Sequence, residues 1–139
     1  MRNSKKMRLI TVVMCVAVLL VTSSFVLAYS SSGNWSAYKT VTLSSSDGWK
    51  QVGHSSLKAT NNDIATFYVD NKTMYTDPDA KLVNNNGENR SAIVNMALVN
   101  TKMTTDTNTG TKGYNYYSKI KPSALQVGSD SIRYRIMAD

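Results

Sequence analysis

The sequence predicts an all-β domain, an antiparallel β-sandwich, preceded by an N-terminal signal helix. Three observations carry this reading. Beyond residue 38, apolar and polar residues alternate with a period of two in run after run, as half-buried strands require. Clusters of Gly, Asn, Asp, Ser and Pro separate those runs at short intervals. No segment beyond residue 28 sustains an apolar stripe at helical spacing.

The N-terminal element has three parts. "MRNSKKMR" is positively charged, residues 9–28 are apolar apart from Thr11, Thr22, Ser23 and Ser24, and "VLA" leads into the polar "YSSSG". A charged start, an apolar middle and a small-residue end make a secretory signal peptide over residues 1–28, with cleavage between Ala28 and Tyr29. The rival reading is a membrane anchor formed by residues 9–28, since about twenty apolar residues span a bilayer. The strongest apolar part, Leu9–Val21, is shorter than that, and the Thr-Ser-Ser break falls where the polar end of a signal begins. Cleavage and release outside the cell are therefore expected. Residues 29–37, rich in Ser and Gly, read as a flexible segment, and residues 38–139 as a single β-sandwich domain.

The strands follow in order. Residues 38–44 place Val41 and Leu43 on one face and Thr40 and Thr42 on the other. In 63–70, Ala65, Phe67 and Val69 oppose Ile64, Thr66 and Tyr68. Residues 91–103 carry Ala92, Val94, Met96 and Leu98 on one face. Their other face, Ile93, Asn95, Ala97 and Val99, is half apolar, which suits a central strand covered on both sides. Residues 113–120 alternate Tyr114, Tyr116 and Ile120 with Asn115, Tyr117 and Lys119. Residues 131–137 point Ile132, Tyr134 and Ile136 inward and Arg133 and Arg135 outward. Residues 49–53, 72–75 and 80–83 are weaker strand candidates. "PSALQ", 122–126, is the one candidate helical turn, with Pro at its first position.

Composition narrows the chemistry. Net charge is +7, but Arg2, Lys5, Lys6 and Arg8 precede the apolar run. Beyond residue 28, twelve Lys and Arg face nine Asp and Glu, a net +3. That is an ordinary solubility charge, and nucleic acid, which wants a concentrated basic face, is disfavoured as a partner. The single cysteine, Cys15, lies in the apolar run. Residues 29–139 therefore hold no disulfide, thiol nucleophile or thiolate metal site.

No catalytic constellation is visible, and no cofactor is expected. His54 is the single histidine, and no G-x-S-x-G elbow accompanies it. It reads as a polar residue of a loop or strand end. Asp77 and Asp79 flank Pro78, and oxygen-rich "NNNGEN" lies nearby, so these two carboxylates are weak calcium candidates. Asp-Pro-Asp is equally a turn. The strongest candidate binding set is C-terminal: Tyr114, Tyr116, Tyr117, Lys119 and Lys121 on one strand, with Arg133, Tyr134 and Arg135 on another expected to lie close to it. Outward Tyr and Arg are the residue types that anchor interfaces. Such a face suits an anionic cell-wall polymer, a glycan, a membrane surface or a protein. The structural alternative is that the tyrosines fill the core while Lys and Arg are solvated and discourage edge pairing.

Three resemblances bear on this. "LQVGSDSIRYRI" resembles the approach to a late strand of immunoglobulin-like domains, with Leu125, Asp130 and Tyr134 in the recurrent Leu, Asp and Tyr places. The lysine-started signal, the Asn/Ser/Thr-rich β domain and the "SALQVGSDSIRYRI" tail resemble small secreted proteins of Bacillus-like Gram-positive bacteria whose function is undefined. "LVNNNGENR" is similar to the lactococcin-972-like bacteriocins, Cys-free secreted β proteins. The leading expectation is a non-enzymatic secreted protein that binds at or outside the bacterial cell surface. A secreted bacteriocin or toxin-like antimicrobial is the alternative, and a secreted hydrolase using Asp77 or Asp79 comes third.

Overall fold

The computed structural model describes residues 34–139. The expected signal helix, its Ala28–Tyr29 boundary and residues 29–33 lie outside the described residues. Eight strands form two four-stranded antiparallel sheets that make a sandwich. The strands are β1 (Lys39–Ser44), β2 (Lys50–Leu57), β3 (Ala65–Lys72), β4 (Asp79–Val83), β5 (Val94–Asn95), β6 (Lys102–Thr105), β7 (Asn115–Lys121) and β8 (Ser129–Ala138). The first sheet has the order β1-β8-β3-β6 and the second β2-β7-β4-β5. Only the β4–β5 connection stays within one sheet; every other connection crosses the sandwich.

Period-two alternation sets the inner faces. Val41, Leu43, Ala65, Phe67, Val69, Ile132, Tyr134 and Ile136 of the first sheet meet Val52, Ala80, Leu82, Tyr116 and Ile120 of the second in one core. Each large side chain so buried contributes about 1.5–3 kcal/mol, which is how a domain without disulfides closes. Two irregularities interrupt the ladders. The register shift between Val52 and Ser55 in β2 keeps the alternation, so Val52, His54 and Ser56 all face inward, whereas the one between Val69 and Asn71 in β3 leaves Asp70 beside Arg133 of β8.

The alternation at 38–44, 63–70 and 131–137 is realised as strands with the expected inward residues buried. Residues 91–103 differ from the expected central strand. They form the two-residue β5 at one edge of the second sheet, cross the sandwich, and start β6 at the edge of the first. The break is local chemistry. Asn100 takes a left-handed φ of 57°, which Asn tolerates better than most residues. Its N–H donates to the Val69 carbonyl at 2.8 Å, while Lys72 Nζ takes the Ala97 carbonyl at 2.8 Å. Val94 and Met96 are buried, but Leu98 is 55% exposed.

"PSALQ" makes a turn closed by Gln126 N–H on the Ser123 carbonyl (3.1 Å), and no helix occurs among the described residues. Residues 72–75 end β3 and enter a loop rather than forming a strand. The part of the 29–37 segment that is described is packed. Ser36 N–H donates to the Ile136 carbonyl (2.8 Å), and Ser36 Oγ accepts from Ile136 N–H (3.0 Å). The immunoglobulin-like echo does not extend to its contacts. Leu125 is exposed, and the Tyr134 hydroxyl meets Ser118 rather than the Asp130 turn, where Gln126 Nε2 donates to Asp130 at 2.8 Å.

Candidate functional site

The C-terminal binding set is divided between two surfaces. β7 lies in the second sheet and β8 in the first, so their outward residues point away from each other. Tyr116 and Tyr134 point inward and are buried. Tyr114 precedes β7 in a loop, Tyr117, Lys119 and Lys121 lie on the outer face of the second sheet, and Arg133 and Arg135 on the outer face of the first.

On the first sheet the cations are engaged. The Arg135 guanidinium lies 4.3 Å from the Trp35 ring, 4.8 Å from Tyr38 and 5.2 Å from Tyr68. Tyr38 and Tyr68 flank it because β1 and β3 are the two neighbours of β8, and Trp35 arrives from the segment before β1. Arg133 pairs with Asp70 at 2.7 Å and lies over Tyr38 at 4.8 Å. This arrangement covers the sheet and holds the segment before β1 against it.

The second sheet presents a different face. Lys81 of β4 stands directly opposite Lys119 of β7, and Gln51 of β2 completes the row. In the next row, Lys121 stands opposite Asp79, with Nζ 3.5 Å from the carboxylate. Trp49, just before β2, lies under two of the ammonium groups, 4.0 Å from Lys81 and 5.1 Å from Lys121. Lys119 Nζ donates to the Gly87 carbonyl at 2.8 Å. Like charges placed directly across a strand pair destabilise a sheet, and Asp79 offsets only one of the three. The Lys81 pKa is held below its ordinary value by burial first, then by the neighbouring Lys119 and Lys121. An anion laid on this face would relieve that repulsion.

The carboxylates proposed for calcium are taken by lysines. Asp77 pairs with Lys72 at 2.5 Å, and Asp79 with Lys121 while also accepting from Asn95 Nδ2 at 3.2 Å. No group of three or more His, Cys, Asp or Glu side chains converges among the described residues. Asp77 is thus a turn residue anchored by Lys72, and Asp79 the first residue of β4, paired with Lys121 across the strands.

His54 is a core residue rather than one of a loop or strand end. Its Nε2 lies 2.7 Å from Ser118 Oγ, which lies 2.7 Å from the Tyr134 hydroxyl. Its Nδ1 lies 3.3 Å from both Ser36 Oγ and the Ala37 carbonyl. A carbonyl only accepts, so Nδ1 carries the proton and Nε2 accepts from Ser118, which in turn accepts from Tyr134. Burial lowers the His54 pKa, with Lys39 adding to the effect and the Ala37 carbonyl opposing it. Burial raises that of Tyr134. Ser118 is fully buried, so it is not an accessible nucleophile; it joins His54 of its own sheet to Tyr134 of the other, and the Ser118–Tyr134 bond is the strut between the sheets.

A cleft of about 400 Å³ opens at the other end of β7, between the β4–β5 loop and residues 109–116. The loop is braced: Asn84 Oδ1 accepts from Glu88 N–H (2.9 Å), Asn84 Nδ2 donates to Glu88 Oε2 (2.6 Å), and Arg90 pairs with the same oxygen at 2.8 Å. Thr109 N–H fastens the opposite wall to the Arg90 carbonyl at 2.7 Å. The Tyr116 ring lies at the base, its hydroxyl accepting from Thr111 N–H (2.5 Å) and donating to the Thr111 carbonyl (3.1 Å). Tyr114, 65% exposed, stands at the rim.

Sequence reasoning missed Trp35, Tyr38, Tyr68, Trp49 and Lys81. Both tryptophans lie just before a strand whose neighbours bring cations by register, a relation that no local pattern states. A third patch lies where the loops after β1, β3 and β7 share one end of the sandwich: Tyr75 (99% exposed), Leu125 and Val127, joined by Thr76 Oγ1 donating to Gln126 Oε1 at 2.6 Å. No known protein family matches the chain, and no curated protein matches it.

Proposed function

We propose that the chain is an exported, non-enzymatic binding protein that engages an anionic polymer at or outside the bacterial cell surface through the outer face of its second sheet. The observation that carries this is Lys81 and Lys119 placed directly across a strand pair, beside Lys121 and Trp49, with one carboxylate among them. A sheet tolerates that repulsion when a bound anion offsets it. The charged start, apolar middle and Ala28 boundary of residues 1–28 support export.

Co-sedimentation with purified Gram-positive cell walls, with and without their anionic polymers extracted, tests it. The triple variant Lys81→Gln/Lys119→Gln/Lys121→Gln should bind at least about tenfold more weakly, and wild-type binding should fall steeply with salt because exposed charges are screened within about 10 Å at 0.1 M. Equal binding by the triple variant, or undiminished binding to extracted walls, overturns the assignment. A membrane surface is the second reading, favoured by the exposed Tyr75, Leu125 and Val127 at the Trp49 end of the sandwich. Vesicles containing anionic lipid distinguish it: capture by vesicles without capture by walls replaces the polymer with a bilayer. Sequencing the N-terminus of protein from culture supernatant should start at Tyr29.

A further inference from the structure

The cleft between the β4–β5 loop and residues 109–116 has its own chemistry. Its walls carry one charged side chain, Arg90, already paired with Glu88, so it offers no net charge to a ligand. Asn84 is spent on bracing the loop. Asn85, Asn86 and Asn115 make no side-chain hydrogen bond among the described residues, nor does the Thr111 hydroxyl. Each free amide presents a donor and an acceptor together, the pairing that neighbouring hydroxyl groups of a sugar satisfy. The exposed Tyr114 ring adds an apolar platform for the C–H face of a pyranose. At about 400 Å³ the volume falls within the range of small-molecule sites. A phosphate-bearing ligand would want free cations, and the cleft walls supply none.

We propose that this cleft is a saccharide subsite that takes an uncharged stretch of a glycan chain. The inference deepens the polymer-binding reading and rests on it for the anionic part of the ligand. The β4–β5 loop joins the two surfaces: Asn84, Asn85 and Asn86 line the cleft, and the next residue, Gly87, receives Lys119 from the lysine face. A polysaccharide carrying both charged and neutral units would meet both.

The test is an NMR titration of the ¹⁵N-labelled protein with three neutral probes: maltotetraose, cellotetraose and the β-1,4-linked N-acetylglucosamine tetramer. At least one should shift the side-chain amide signals of Asn85, Asn86 and Asn115 saturably by about 10 mM, an ordinary range for a weak site. High salt should leave the affinity unchanged. Tyr114→Ala should weaken it about tenfold, and Tyr114→Phe, which keeps the ring, should retain it. No shift with any of the three probes, or an affinity unchanged in Tyr114→Ala, overturns the subsite. The two proposals fail separately. The variant Lys81→Gln/Lys121→Gln, which keeps the Lys119–Gly87 bond, should leave the sugar titration intact. Wall binding that survives while all three sugars fail removes the cleft alone, and sugar binding without wall binding removes the lysine face alone.

Discussion

Replacing Ser118 by Ala should cost more than its size suggests. The serine is fully buried, and its one oxygen serves both the Tyr134 hydroxyl and His54 Nε2 at 2.7 Å. The substitution opens almost no cavity but leaves two buried polar groups without a partner. Each such group costs about 1–3 kcal/mol, so the loss should be about 2–6 kcal/mol. Tyr134→Phe removes a group together with its need for a partner and leaves Ser118 bound to His54. That variant should lose only about 1 kcal/mol. Adding Tyr134→Phe to Ser118→Ala should then restore part of the stability, because one orphaned group disappears. Urea unfolding at about pH 8, where imidazole is neutral, followed by tryptophan fluorescence, reads all three, with m-values held equal as the check on two-state behaviour. If Ser118→Ala costs no more than Tyr134→Phe, or the double variant is simply additive, the shared-oxygen argument is wrong.

The same strut predicts acid sensitivity. The folded chain holds His54 below its ordinary pKa, so the unfolded chain binds the proton more readily. Stability should be full above roughly pH 6.5 and fall below it by at most about 1.4 kcal/mol per pH unit. Urea midpoints across that window check it, and a wild-type profile as flat as that of His54→Gln would refute it. On the first sheet, Arg135→Met keeps the aliphatic stem and removes the cation from three rings. Its Nε, buried without a partner, is lost as well, so the net cost should be near 1 kcal/mol. That corresponds to a melting temperature lower by roughly 4–8 °C, and an unchanged one would show that the rings hold the guanidinium at no gain.

How much of this was written locally can be judged from two segments. "IRYRI" announces its geometry because Ile132, Tyr134 and Ile136 alternate with Arg133 and Arg135, so only one register buries the right face. "SAIVNMALVN" misleads because apolar residues on both faces suit a covered strand. Its fate is decided by Asn100 adopting a left-handed turn and by Lys72, far back in the chain, seizing the Ala97 carbonyl. The lysine face was half legible. Lys119 and Lys121 stand out in "YYSKIK", but Lys81 joins them only through the β4–β7 register. The cleft depends on how two loops lean together, and the Asn run hinted only at a turn. The expectation that β7 and β8 would share a face failed because their connection crosses from one sheet to the other.

The position of β8 has a consequence in time. It is the last strand in the sequence and an interior strand of the first sheet, pairing with both β1 and β3. Until residues 129–138 are available, β1 has no partner, and β3 keeps only the four-residue β6. The second sheet is complete by Lys121, but its inner face lacks most of its cover until β8 joins β1 and β3, and two-stranded pieces are marginal in water, so the sandwich should close only after residues 129–138 arrive, and then cooperatively. Such wide-span pairing places folding in the millisecond-to-second range. For the export we propose, that delay is an advantage, since the order of the strands itself keeps residues 39–128 from closing into a sandwich until residues 129–138 have followed them.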